Sequence, residues 1–172
     1  SEAPWYRTGW RGRVETLLKL GKPQLAADLV QGSPVLRQLP GETEHLLGNI
    51  HVAINDMSRA AHWFQQAVEQ YPDDEVLLER TSRFFFEHGP AHQAFPYLQR
   101  LVALNPKNAS ALHNLGTLLF EAKDFEQAAA CLKDSLGVRP NSKQTWELLS
   151  VVLHKMGDEQ GAEEARRRSQ EL

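Results

Sequence analysis

The chain has 172 residues, of which 41% are hydrophobic and 24% charged, an ordinary globular composition with room for one domain or one short repeat array. Its net charge of −3 argues against nucleic acid as a partner, for which a basic face and a high pI are expected. The one cysteine, Cys131, excludes an internal disulfide and a cysteine-built metal cage, and agrees with cytoplasm and periplasm alike.

The opening SEAPWYRTGW lacks the basic-then-apolar order of a secretion signal, and no run approaches the ~20 apolar residues of a membrane span. From Trp5 to Leu20 the pattern predicts a helix with Trp10, Val14 and Leu17 in the core, weakened at its start by Gly9 and Gly12. Gly21 and Lys22 form a turn. Pro23 suits the first position of a second helix that carries Leu25, Ala26, Leu29 and Val30 and is cut short by Ser33-Pro34.

Residues 41–74 repeat the pattern, with Leu47, Gly48 and His51 on a first helix and Ala60, Ala61, Phe64, Ala67 and Val68 on a second. Residues 75–108 carry Leu78, Ser82 and Phe85, then Ala94, Leu98, Leu101 and Val102, with Asp73 or Asp74 as N-cap. Pro96 falls inside the helix expected from Pro90 to Leu104, where a missing N–H predicts a kink. Residues 109–142 show the pattern best: Leu112, Leu115, Gly116 and Leu119 lie on one helical face, and Phe125, Ala128, Ala129, Leu132 and Leu136 on the next. The last unit, 143–172, keeps Trp146, Leu149, Ser150, Leu153 and Ala162. It ends in EEARRRSQEL, polar where a further unit would stack.

Three columns recur at steps of about 34 residues. Ala26, Ala60, Ala94, Ala128 and Ala162 are small where two helices would cross closely. Gly21, Asn55, Gly89, Lys123 and Gly157 mark the turn within each pair, and all but Lys123 are residue types that accept positive φ. Pro72, Pro106 and Pro140 stop the second helices, with Pro40 slightly out of phase.

These columns, with Leu112, Leu115, Gly116, Leu119, Ala128, Leu132 and Pro140 in the family's order, resemble the tetratricopeptide repeat over residues 7–172. The resemblance implies an all-α, right-handed α-solenoid of about five helix-turn-helix repeats forming a single domain over residues 1–172. The first repeat (7–40) is degenerate, those at 41–74, 75–108 and 109–142 are regular, and 143–172 caps the end. It also implies a non-enzymatic protein-interaction module that holds a peptide of a partner protein on a concave face lined by the first helices, as a scaffold or assembly factor.

Periodicity selects the residues on that face. With the buried direction of the first helices fixed, His45, Asn49, Val52, Arg80, Arg83, Phe86, His113, Asn114, Thr117 and Phe120 turn away from the core. Glu42 falls in the same set. Arg83 and Arg80 suit a carboxylate or carbonyl, Asn49 and Asn114 a peptide backbone, and Leu18, Val52, Phe86 and Phe120 spaced apolar anchors. Two plainer readings stay open: Phe86 and Phe120 packing on the next first helix, and Arg83 pairing with Glu79 or Glu87 along its own helix. Some family members clamp a chaperone's terminal carboxylate with two lysines among their ligands. The matching set, His45, Asn49, Arg80, Ser110 and Asn114, has none.

No nucleophile-elbow, phosphate-loop, dinucleotide or zinc-protease string occurs. His88 and His92 are separated by Gly89-Pro90 and do not form a helical ligand pair, and Cys131 reads as a small buried hydrophobe. No catalytic, cofactor or metal residue is therefore assigned. Two other readings fit: a self-assembling module that dimerises through Trp5, Tyr6 and Trp10, and a regulatory or recruiting domain of a larger enzyme.

Overall fold

The structure, a computed structural model, describes residues 4–34, 36 and 41–172, and the side chains of these from residue 9 onward. Pro40, and the side chains of Trp5 and Tyr6, lie outside the described residues. Among the described residues every regular element is helical. They are α1 (Pro4–Lys19), α2 (Pro23–Gln31), α3 (Glu42–Ala53), α4 (Met57–Gln70), α5 (Glu75–His88), a 3-10 turn (Ala91–Ala94), α6 (Phe95–Leu104), α7 (Ala109–Glu121), α8 (Phe125–Val138), α9 (Lys143–Met156) and α10 (Glu159–Gln170).

The chain divides into two compact units, Ser1–Gly89 and Pro90–Leu172. In the first, α1 packs on α2 and α3, α3 on α4, and α4 on α5. Val14, Ala26, Val30, Leu36, Leu46, Leu47 and Ile50 form its core, with Trp10, Leu17, Leu18 and Trp63 laid against them. An aromatic run continues this interior, with Phe64 and Phe84 ring centroids 4.7 Å apart. In the second unit α6 packs on α7, α7 on α8, α8 on α9 and α9 on α10.

The alanine column is buried throughout: Ala26, Ala60, Ala94 and Ala128 are fully enclosed and Ala162 is 2% exposed. The glycine of each Leu-Gly pair has a matching steric reason. A Cβ on Gly48 would meet the Phe64 ring at 2.9 Å, and one on Gly116 would meet Leu132 at 2.9 Å, so each hairpin closes on a bare backbone. Buried hydroxyls reach across elements to carbonyls, Thr81 donating to Phe64 O and Ser135 to Ala109 O. Asp56, Asp74, Asn108, Asp124 and Asp158 accept first-turn amides and start five of the helices. The helices that precede Pro72, Pro106 and Pro140 end at Gln70, Leu104 and Val138.

Two local expectations are corrected. Gly21, Asn55, Lys123 and Gly157 take positive φ, whereas Gly89 sits at φ −108°, ψ −173°. Pro90 is the reason: its ring restricts the residue before it to extended backbone, so the third turn cannot follow the others. Pro96 kinks nothing. The segment after Pro90 first forms the 3-10 turn, and Pro96 then falls in the first turn of α6, where its missing N–H is not needed.

Candidate functional site

In the first unit the face of α3 is organised by a buried carboxylate. Glu42 is 1% exposed and opens α3. Arg11 Nε of α1 donates to its Oε1 at 3.2 Å, and Arg80 Nη1 of α5 donates to its Oε2 at 3.4 Å. Two guanidiniums from neighbouring elements and the positive end of the α3 dipole hold one negative charge that could not be buried alone. Arg80 is committed to this contact, its side chain 11% exposed. Arg83, one turn on, is exposed, and no ion pair joins it to Glu79 or Glu87 among the described residues.

His45 lies one turn after Glu42, 5% exposed, with its ring 5.4 Å from that of Phe64. Its pKa is lowered to about 3, first by burial and then by the charges of Arg11 and Arg83. The ring is thus neutral at pH 7. Asn49 Nδ2 donates to Nε2 at 3.0 Å, which puts the ring proton on Nδ1, and Nδ1 has no partner. Asn49 and Val52 are half-buried along the same helix, and Phe86 is half-buried on α5.

In the second unit His113 of α7 contacts Thr145 of α9, Nδ1 to Oγ1 at 3.0 Å, and Thr145 shares its hydroxyl with Ser142 at 2.7 Å. Burial, then Arg139, lowers the His113 pKa. Thr117 donates to the His113 carbonyl and Asn114 is half-buried beside it in sequence. Phe120 packs within its own hairpin, 5.8 Å from Phe125 between ring centroids.

Sequence reasoning placed Glu42 among solvent-facing residues and missed its role. Its partners lie 31 and 38 residues away, beyond any helical periodicity. A signal did exist: the same column holds Val76, Ser110 and Gln144 in the other units, so one carboxylate stands alone there.

Among the described residues no three His, Cys, Asp or Glu side chains are placed to share a metal ion, and no helix is long and apolar enough to cross a membrane. Cys131 is half-buried, and its thiol pKa is pushed up by burial first and then by Asp134 and Asp124.

Paired helices closing on a Gly column, crossing at an Ala column and ending before a Pro column define a tetratricopeptide-type fold. The chain belongs to the Cilia and flagella-associated protein 70 middle TPR-like domain family, whose pattern matches residues 36–172. It is 21% identical over 149 residues to tetratricopeptide repeat-containing protein trd-1 of Caenorhabditis elegans, covering 86% of this chain and 18% of that protein. It is 25% identical over 146 residues to the BBSome complex member BBS4 homolog of Drosophila melanogaster, covering 84% of this chain and 30% of that protein. The chain therefore spans less than a third of either relative. Among solved structures, MamA from Desulfovibrio magneticus RS-1 superposes with a TM-score of 0.77 at 19% identity, covering 96% of this chain and 94% of that one. MamA AMB-1 gives a TM-score of 0.77 at 19% identity over 99% and 93%. The all-α, tetratricopeptide-like solenoid class expected from the sequence is the class of these neighbours.

Proposed function

We propose that the chain is a protein-interaction module of scaffold type, without catalytic activity of its own, that holds a peptide segment of a partner on the exposed faces of its first helices. Families of this type generally serve as interaction modules, and one relative is named as a member of a multiprotein complex. The observation that carries the reading is the surroundings of His45: Asn49 bonds the ring, the charge of Arg83 reaches it, and Arg83 remains exposed. An amide and an unneutralised guanidinium on one face suit a peptide carbonyl and an acidic side chain. In the second unit Asn114, Thr117 and Phe120 give a more neutral face of the same kind.

The test is a photo-crosslinking residue placed at Asn49 and, separately, at Asn114, in the full protein expressed in its own cells. A discrete crosslinked protein at these positions is expected, and Arg83→Glu should weaken its affinity at least about tenfold. Crosslinks confined to control positions on the second helices, or an affinity untouched by Arg83→Glu, discards this reading.

A further inference from the structure

We infer that a trough on the second unit, separate from the first-helix faces, docks a partner helix that presents a large apolar side chain between one acidic and one basic residue. The trough holds about 420 Å³ and is walled by α8 and α10 over a floor from α9, where Trp146, Leu149 and Leu153 lie. Two of its lining residues are glycines. Gly137 and Gly161 stand on its two walls, in the columns that hold Ala103 and Gln127 one repeat earlier. A Cβ on Gly137 would meet nothing within 4 Å, whereas one on Gly161 would run into the Asp158 carboxylate, which takes that space.

A glycine in place of the glutamine changes the hydrogen bonding of the capping aspartate. Gln127 Nε2 donates to Asp124 Oδ2 at 2.8 Å, while Oδ1 caps α8. At the equivalent place Asp158 Oδ1 accepts from the Gly161 amide at 2.9 Å, and Gly161 has no side chain to satisfy Oδ2. Asp158 therefore offers a carboxylate oxygen at one rim. Glu164, also on the rim, is already bonded to Arg167 and Arg168. Lys133 on the α8 rim is exposed and has no ion pair among the described residues. One unclaimed positive and one unclaimed negative charge thus flank an apolar floor.

The occupant's backbone must be self-sufficient. The trough's walls are helices whose amides are used internally, and Trp146 Nε1 already donates to Pro140 O at 2.8 Å. An extended peptide would find no ladder of partners, whereas a helix arrives with its own bonds made. Its acidic residue falls toward Lys133 and its basic residue toward Asp158.

Three capped Ala-based peptides about 14 residues long serve as probes, a length at which a helix begins to hold. Each carries a central Leu pair, flanked one turn away by Glu and Lys, by Glu on both sides, or by Lys on both sides. Amide signals of Gly137 and Gly161 and the Trp146 indole signal are followed by NMR on the intact chain. The mixed peptide should shift all three saturably and bind about threefold more tightly than either single-signed peptide. Lys133→Glu should transfer the preference to the all-Lys peptide, and Gly137→Trp should abolish the shifts while the circular dichroism stays unchanged. Absent shifts with all three peptides, equal affinities, or a preference that survives Lys133→Glu overturns the proposal. None of these residues enters the crosslinking test, so the two readings fail separately.

Discussion

Arg80 Nη1 lies 3.4 Å from Glu42 Oε2, joining a guanidinium of α5 to a carboxylate of α3 that is almost wholly withdrawn from water. With Arg11 on the other oxygen, three helices of the first unit converge on one charge.

Glu42→Ala should therefore cost about 3 kcal/mol, because it leaves the largely buried Arg80 without its counter-charge. Arg11→Ala removes a partner whose side chain is 32% exposed, and a loss below about 1 kcal/mol is expected after solvent screening. Urea unfolding of both variants measures the contrast. Equal losses would mean that Arg80 is rehydrated when Glu42 goes.

Acid should destabilise the first unit in a defined window. The His45 pKa is about 3 in the fold, against an ordinary value of 6.5, so the unfolded chain takes up a proton there before the folded chain does. The stability associated with the neutral ring is complete above about pH 6.5 and is lost as pH falls toward about 3. His45 contributes a loss of about 2 kcal/mol between pH 7 and pH 5, and His113, shifted in the same direction, acts with the same sign in the second unit. His45→Gln should flatten the slope of unfolding free energy against pH over that interval, whereas an unchanged slope would assign it elsewhere.

Two glycines of the second unit should respond with opposite sign. Gly116→Ala brings a Cβ within 2.9 Å of Leu132 and 3.3 Å of the Ala128 carbonyl, and should destabilise by ~1–3 kcal/mol. Gly137→Ala meets open space in a helix and should stabilise by ~0.5–1 kcal/mol. Thermal unfolding of the pair checks the ordering.

The turn column yields a third contrast. Lys123 holds φ at 65° with a Cβ in place, so Lys123→Gly should stabilise by ~1 kcal/mol, and Gly157→Ala, at φ 82°, should destabilise by a similar amount. Gly89 is extended and carries no such requirement.

The same residues show how far the sequence could be read. The alanine column was legible because a crossing of two helices is a local steric demand, repeated at constant spacing and independent of what surrounds it. Lys123 shows that turn geometry follows position in the hairpin more than residue type: a poor residue adopts the left-handed conformation because its neighbours impose it. Gly89 misleads for the converse reason, since its fate is decided by Pro90. The odd carboxylate at Glu42 was legible in its column, but its two arginines were not, because charge pairing across three helices follows no helical period. The trough was not legible because it is walled by α8, α9 and α10 together, and the pattern of one helix does not show what three enclose.

Glu42 also limits how the first unit can be rebuilt. Repeats of one shape invite exchange, yet the chain's own 109–142 hairpin placed at positions 41–74 would bring Ser110 to position 42 and leave Arg11 and Arg80 without their carboxylate. Any recombinant that exchanges this hairpin must carry the acidic residue with it, or alter both arginines in the same step.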